Sequence, residues 1–319
     1  MHHAISDVVG LEVGHAQDSE TLTGCTVILC NPAAVVGVDV RGAAPGTRET
    51  DLCRPGTLVE RANGILLTGG SAMGLAAANG VTRWLWERGM GFDTGVAAVP
   101  IVPGAVIFDL AIGAVAWPDE TMGYAACRNA GAGGVAQGCV GAGTGATVGK
   151  ILGPSQATKS GLGTASVRAG AYTVGALIVV NAFGDVVGPK GEILAGPRDP
   201  ATGEYRRTEE ILLGPGSARP GGNTTIGVVA TDATLRDVQV SHLATAAHAG
   251  LARGIRPIHT MVDGDTIFAL ATGTVGTEVT AESLLALAVA ATIATEDAVR
   301  NAIQHATPAG GLPAAHGAR

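Results

Sequence analysis

A short junction near residue 224 constrains this chain more than any other feature. Before it lies the Gly- and Pro-rich segment Gly214–Pro220, and after it comes the apolar, β-branched run Thr224–Ala230. A run of this kind, bounded by turn residues, is typical of a buried strand. The sequence therefore predicts that a flexible loop meets an interior strand at Asn223, with the hydroxyl of Thr224 held where the two join.

The junction has a chemical consequence if the bond between Asn223 and Thr224 is cut. Thr224 would then carry a hydroxyl and a free α-amine on one residue, and such an amine is one of the few groups that activate a threonine hydroxyl at neutral pH. A loop followed by an ordinary strand explains the same spacing. The junction alone leaves both interpretations open.

The composition favours tightly layered helices and sheets. Of the 319 residues, 46% are hydrophobic but only 3% are aromatic, and 49 are glycine. Small side chains let secondary-structure layers approach closely, so we expect an α/β fold, either as one large domain or as two. The formal net charge is −7 and no run of Lys or Arg occurs, which argues against a nucleic-acid partner.

Cysteine spacing and hydropathy predict a cytoplasmic protein. The cysteines are odd in number, five, and form no C-x-x-C pair, which favours free thiols in a reducing compartment. The N-terminus lacks the basic and apolar regions of a signal peptide. The apolar segment Gly95–Trp117 contains Pro100, Pro103 and Asp109, so we expect two buried strands with a turn there and no membrane association.

Several elements are predicted from local patterns. Ser71 is a candidate N-cap for a helix over 72–88, Thr234 and Asp237 resemble a capping box for a helix ending near Gly254, and Thr280 is expected to cap a last helix reaching about His305. The run 174–180 indicates a central strand that ends on Asn181, and the polar stretch 189–220 is the best candidate for a linker.

Familiar catalytic motifs fail on inspection. The segment Gly143–Lys150 resembles a phosphate loop but has Thr144 and Ile151 where that motif needs Gly and Ser or Thr. Gly141–Gly143 lacks the remaining dinucleotide fingerprint, Ser71 has Met73 where a nucleophile elbow needs glycine, and no His pair has the spacing of a zinc hydrolase. We therefore expect neither a metal nor an organic cofactor.

A dispersed set of polar residues remains. Lys150 follows the glycine-rich loop, Asn181 ends a predicted strand, and Asp263 and Asp265 flank one glycine before another apolar run, with His259 shortly upstream. Taken singly, each has a plain structural explanation: a surface lysine, a turn former, a tight Asp-Gly-Asp turn and a packed or capping histidine.

Together with the junction, these residues resemble a known family in its own order along the chain. The family is that of the self-cleaving amidases, which includes the DmpA-type aminopeptidases, the β-peptidyl aminopeptidases and the nylon-oligomer hydrolase NylC. The segments that carry the resemblance are Gly222–Ile226, Gly69–Leu75, Ala105–Asp109, Gly141–Lys150, Val180–Asn181 and Pro257–Thr266.

The resemblance implies a fold and a maturation step. The fold is a four-layer αββα sandwich formed by a single domain, 1–319, similar to that of the N-terminal-nucleophile hydrolases but connected differently. Self-cleavage between Asn223 and Thr224 would leave two associated fragments, 1–223 and 224–319, and the processed units would assemble as a homotetramer.

The resemblance also implies roles for individual residues. Thr224 would be the nucleophile, Asn181 would donate to the oxyanion, Lys150 would support the site electrostatically, and Asp263 and Asp265 would position the amine and hydroxyl of Thr224. One departure concerns substrate binding. Phe108 stands where family members have a tyrosine, so a hydroxyl that could assist the oxyanion or the substrate is absent and the second oxyanion donor is left open.

The implied activity is hydrolysis of a small amide. The expected substrates are short peptides or β-amino or ω-amino oligoamides with a free amine, cut by an aminopeptidase or by a hydrolase of the 6-aminohexanoate-oligomer type. Two alternatives stay open: an acyltransferase of the ornithine-acetyltransferase type, and a non-catalytic oligomeric binding protein that has kept the fold.

Overall fold

A computed structural model of the chain describes residues 2–214, 222–276 and 279–315. The Pro- and Gly-rich residues 215–220, expected to form a flexible loop, and the last four residues of the tail lie outside these ranges. Within them the structure contains helices and strands in mixed order.

The strands are β1 (Leu11–Asp18), β2 (Thr23–Val40), β3 (Thr47–Arg48), β4 (Arg61–Thr68), β5 (Phe92–Asp93), β6 (Ala98–Val99), β7 (Gly104–Val106), β8 (Thr147–Val148), β9 (Thr158–Lys159), β10 (Leu162–Ala169), β11 (Tyr172–Asn181), β12 (Asp185–Val187), β13 (Ile193–Ala195), β14 (Thr224–Ala233), β15 (Ile255–Arg256) and β16 (Thr266–Val275). The helices are α1 (Ser71–Gly74), α2 (Ala77–Trp86), α3 (Glu120–Arg128), α4 (Thr208–Leu213), α5 (Asp237–Gly254) and α6 (Ala281–Gln304).

One large sheet positions the junction. Its strand order is β10-β11-β14-β16-β2-β4-β7-β3, with β1 also paired to β2. The 18-residue β2 pairs with β1 and β4 through its first half and with β16 through its second half, and its register with β4 shifts between Leu29 and Ala34. This irregularity, at which strands bend, divides the sheet into two halves joined by one strand.

The two halves pack face to face and are covered by helices. Along β11 the buried side chains alternate: Ile178 and Val180 contact the α5 and α6 side, whereas Leu177 and Val179 belong to an inner cluster with Ile65 and its neighbours on β4. A third cluster joins the outer face of β2 and β4 to α2 and α3. The layers are therefore helix, sheet, sheet and helix, which confirms the αββα prediction.

Glycines allow the layers to touch. A Cβ on Gly163 of β10 would lie 2.1 Å from the carbonyl oxygen of Ala298 on α6, and a Cβ on Gly14 of β1 would lie 2.0 Å from that of Ala126 on α3. Neither backbone can move that far in a packed interior. The high glycine content thus reflects helix-on-sheet contact, as the composition suggested.

Two helix starts differ from prediction. Ser71 is not a side-chain cap: it has φ +54 and follows Gly70 at φ +81, so the chain enters α1 through a left-handed turn, and α2 begins only at Ala77. Helix α5 begins at Asp237 because Thr234 bonds to the carbonyls that end β16 instead of capping the helix. Thr280 caps α6 as predicted, accepting from the backbone N–H of Ser283.

The predicted linker is wrong over its described part. Residues 189–214 contain β13 and α4. Thr208 at the start of α4 is buried, and its N–H and hydroxyl both donate to the buried carboxylate of Asp185. The segment 95–117 contains two short strands, β6 and β7, but the prediction that both are buried is wrong: β7 is buried, whereas Val99 of β6 is exposed. Across the described residues, no helix is both long and apolar enough to span a bilayer.

Candidate active site

Thr224 is the first residue of an entirely buried central strand. Strand β14 pairs antiparallel with β11 and parallel with β16, which fixes its backbone on both sides. Thr224 is 4% exposed, and its hydroxyl donates to the carbonyl oxygen of Asn223. The hydroxyl therefore lies beside the carbonyl group of the bond that the sequence predicts to be cut.

A backbone donor meets the same carbonyl oxygen. The N–H of Gly264 lies 3.2 Å from the oxygen of Asn223, and Asn223 forms a parallel bridge with Asp263. A Cβ on Gly264 would lie 2.3 Å from the carbonyl oxygen of Ala44, so only glycine fits there. This amide can stabilise negative charge that develops on the Asn223 oxygen.

Asn181 and Lys150 form a buried pair next to the junction. The ammonium of Lys150 donates to the backbone oxygen of Asn181 at 2.9 Å, to its Oδ1 at 2.8 Å and to the carbonyl oxygen of Gly222 at 3.3 Å. The N–H of Thr147 also donates to Oδ1, at 3.1 Å. Two donors on one atom require it to be the oxygen of the side-chain amide.

The orientation of Asn181 is thereby fixed. Its Nδ2 donates to the carbonyl oxygen of Phe108 at 3.1 Å. In the uncut chain, then, the N–H of Gly264 contacts the Asn223 oxygen, while the side-chain amide of Asn181 faces Phe108. The oxyanion role of Asn181 stays a prediction.

The environment of Lys150 makes its charge titratable. Burial lowers the pKa of Lys150 to about 7, and the carboxylates of Asp263 and Asp109 partly oppose that shift. All three of its acceptors are oxygens, so the ammonium form, with three N–H donors, satisfies them all. Lys150 is 9% exposed, which rules out the plain reading of a surface lysine.

A second buried lysine supports the glycine-rich loop. Lys159 donates to the carbonyl oxygens of Ala146 at 2.9 Å and of Ser160 at 2.7 Å, and burial lowers its pKa. A Cβ on Gly145 would lie 2.4 Å from the carbonyl oxygen of Leu22. The segment that resembles a phosphate loop is therefore a packed turn that delivers Thr147 and Lys150 to Asn181.

The two aspartates brace the neighbours of Thr224. Asp265 accepts from the N–H of Thr225 at 2.6 Å and from the ring Nδ1 of His259 at 2.8 Å. Asp263 accepts from the N–H and hydroxyl of Thr260 and from the N–H of Phe183. Burial, with the nearby Asp265 carboxylate, raises the pKa of Asp263. Their predicted contacts with the amine and hydroxyl of Thr224 stay predictions.

Two cavities lie next to the junction. One of about 500 Å³ is lined by Lys150, Phe108 and Gly222, and by the apolar side chains of Ile112 and Leu312. A smaller one, of about 260 Å³, reaches Thr224 and Asn223 and shares Phe108 and Gly222 with the first. The polar residues of the site thus lie beside enough space for a small substrate.

Sequence reasoning missed three contributors. Thr147 and Gly264 act through backbone N–H groups, which no residue type reveals, and His259 was interpreted as a packed or capping residue. The one usable signal was the position of His259 six residues before Asp265.

The chain is similar to known proteins over most of its length. The sequence profile of peptidase family S58 matches residues 3–316. An uncharacterized aminopeptidase of Mycobacterium tuberculosis (strain ATCC 25618 / H37Rv) is 46% identical over 295 residues, covering 86% of this chain and 82% of that protein. A 6-aminohexanoate-oligomer endohydrolase of Kocuria sp. (strain KY2) is 34% identical over 274 residues, covering 83% and 74%.

Solved structures show the same fold. A β-aminopeptidase of Burkholderia sp. superposes with a TM-score of 0.73 at 24% identity, covering 100% of this chain and 92% of that one. An L-aminopeptidase D-Ala-esterase/amidase of Ochrobactrum anthropi, described as a new variant of the Ntn hydrolase fold, gives 0.73 at 23% identity, covering 98% and 88%.

Proposed function

This chain belongs to peptidase family S58, and from that premise we propose that it is an amide hydrolase that cuts itself between Asn223 and Thr224 and then uses Thr224 as its nucleophile. The observation that carries the proposal is the convergence on one carbonyl oxygen. The hydroxyl of Thr224 and the N–H of Gly264 both contact the oxygen of Asn223.

That geometry supports self-cleavage. The Oγ of Thr224 attacks the carbonyl carbon of Asn223, the C–N bond breaks, and the nitrogen of Thr224 leaves with the hydroxyl proton. The N–H of Gly264 stabilises the oxyanion, a contribution of about 10²–10³ in rate for one well-placed donor. Water then hydrolyses the ester, which restores the hydroxyl, leaves Asn223 with a carboxylate and gives Thr224 a free α-amine.

Substrate hydrolysis reuses the exposed threonine. The α-amine, with a pKa of roughly 7.7–8.0 in unperturbed chains, accepts the hydroxyl proton as Thr224 attacks a substrate carbonyl. The cation of Lys150 favours the basic form of that amine and stabilises the oxyanion, to which Asn181 also donates. The substrates are short peptides or amino-oligoamides with a free amine.

The sheet supports the proposal that the fragments stay together. Strands β14 and β16, from the fragment 224–319, lie between β11 and β2, from the fragment 1–223. Separation would break both strand pairings and expose the two core clusters they share. The processed unit is thus one αββα body, 1–319, and we propose that such units form the tetramer implied by the resemblance.

Intact mass and denaturing electrophoresis test the proposal. In proportion to 223 and 96 of 319 residues, the 31.6 kDa chain gives fragments of about 22 and 9.5 kDa. Chromogenic aminoacyl amides and 6-aminohexanoate oligomers then test hydrolysis. A chain that stays whole after long incubation and hydrolyses none of them contradicts the proposal and favours the binding protein. Acyl transfer to an amine in preference to water favours the acyltransferase.

A further inference from the structure

The uncut chain shows how an acyl group lies in the site. Gly222 and Asn223 occupy the acyl side of the bond that Thr224 attacks, and Asn223 is 1% exposed. A substrate attacked by the same hydroxyl must place its own acyl part along this path. We call the place of Gly222, two residues before the cut bond, the second acyl position.

Lys150 recognises a carbonyl at the second acyl position. Two of its three N–H donors are held by Asn181, and the third contacts the oxygen of Gly222. When the cut chain end leaves, that third donor lacks its protein acceptor. A substrate carbonyl at the same place restores the bond, whereas a single aminoacyl group ends before it.

Phe108 forms a wall against side chains at the same position. A Cβ on Gly222 would lie 2.2 Å from Cγ and 2.4 Å from Cβ of Phe108, atoms close to its backbone that rotation of the ring displaces little. Phe108 and Gly222 line both cavities, so the wall stands between them. A glycyl unit passes it, and a residue with a side chain does not.

We propose that the second acyl position is a specificity subsite, bounded by Phe108 and Lys150, that accepts an unsubstituted glycyl unit with its carbonyl toward Lys150. The inference rests on the proposed function and deepens it. The enzyme releases a two-residue Gly-Xaa acyl unit from an amide in preference to one N-terminal residue. Beyond the glycyl unit, the apolar surface of Ile112 and Leu312 continues the larger cavity.

The test compares three p-nitroanilides on the processed enzyme: Gly-Asn, Ala-Asn and Asn alone. The expected kcat/KM for Gly-Asn exceeds that for Ala-Asn by about tenfold or more, the effect of one excluded methyl group. We expect a similar excess over Asn alone, and mass spectrometry should find Gly-Asn released intact. Phe108→Gly, which removes both Cβ and Cγ, should raise the kcat/KM for Ala-Asn toward that for Gly-Asn. Phe92→Gly, at a residue that lines neither cavity, should leave the ratio unchanged.

A second measurement needs no added substrate and remains available if Phe108→Gly misfolds. Gly222→Ala should slow self-cleavage of the precursor by about tenfold or more, and Phe108→Gly in the same chain should restore it. Processed enzyme that hydrolyses none of the three anilides contradicts the proposed hydrolysis, while the precursor still tests the wall. Hydrolysis with equal constants for Gly-Asn and Ala-Asn, or unimpaired cleavage of Gly222→Ala, overturns the subsite alone.

Discussion

Asn181 and Thr224 are direct partners in the antiparallel register of β11 and β14. Asn181 is the last residue of β11 and Thr224 is the first residue of β14, so both lie at the same end of these paired strands. Lys150 is bonded to Asn181 twice and to Gly222 once. The sheet register therefore holds Thr224 next to the hydrogen-bonded pair of Asn181 and Lys150.

The first prediction concerns the nucleophile. Thr224→Ala removes the hydroxyl that contacts the Asn223 carbonyl, so this variant should remain one 31.6 kDa chain, while Thr224→Ser should still process. Thr225→Val is the matched control, because it alters the next buried threonine and keeps its shape. Intact mass after purification distinguishes them, and a Thr224→Ala chain cut at the same bond would refute the assignment.

Asn181 gives a second prediction. Asn181→Ala should lower kcat by about 10²–10³ through loss of an oxyanion donor. It also strips Lys150 and Thr147 of an acceptor, which should cost about 1–3 kcal/mol of stability. Steady-state kinetics and denaturant unfolding measure the two effects. Asn79→Ala, at an exposed residue bonded to Arg48, should change neither, and a kcat that survives Asn181→Ala contradicts the role.

Local sequence patterns correctly predicted two central strands and the last helix. Continuous apolar runs predicted β11 and β14, and the hydroxyl of Thr280 marked the start of α6. Local patterns failed where contacts between residues far apart in the sequence determine the conformation. Ser71 begins α1 in a left-handed conformation next to Gly70, and Thr208, in the supposed linker, is fixed by Asp185.

The candidate site was likewise predictable from the sequence only in part. The order of Lys150, Asn181, Asp263 and Asp265 along the chain was enough to suggest the family. The contacts were not readable, because Gly264 reaches Asn223 only through the parallel pairing of β14 with β16, strands 40 residues apart in register. Likewise, the burial of Lys150 was not readable from the sequence, because its loop is held by contacts such as that of Lys159 with the Ala146 carbonyl oxygen.

A third prediction tests the hydrogen bonds that Asp265 accepts from Thr225 and His259 next to Thr224. Asp265→Asn leaves one acceptor oxygen where the carboxylate serves both Thr225 and His259, so an N–H must face another N–H. The expected cost is about 1–3 kcal/mol of unfolding free energy, with slower self-cleavage in the otherwise native chain. Stability is best measured with Thr224→Ala present, so that the chain stays whole. Asp51→Asn, at an exposed carboxylate, is the control, and unchanged stability and cleavage would contradict the role of these bonds.

The last prediction separates a cationic from a basic Lys150. Burial lowers its pKa from the ordinary 10.5 to about 7, so the ammonium predominates below about pH 7 and is lost as the pH rises through that value. Since the precursor has no free amine on Thr224, we assign a change in the self-cleavage rate near pH 7 to Lys150. If the cation supports cleavage, the rate should fall as the pH rises from about 6 to 8.

The pH dependence of the self-cleavage rate is measured on precursor made by cell-free synthesis and followed by intact mass across this range. Lys150→Met should cleave itself slowly, since the methionine side chain cannot donate to Asn181 or Gly222. Its rate should not fall as the pH rises through 7. Burial also raises the pKa of Asp263, but that carboxyl would gain charge with rising pH and favour the ammonium, which opposes the fall. A rate that instead rises through pH 7, with the rise abolished in Lys150→Met, would make Lys150 the proton acceptor for the hydroxyl of Thr224.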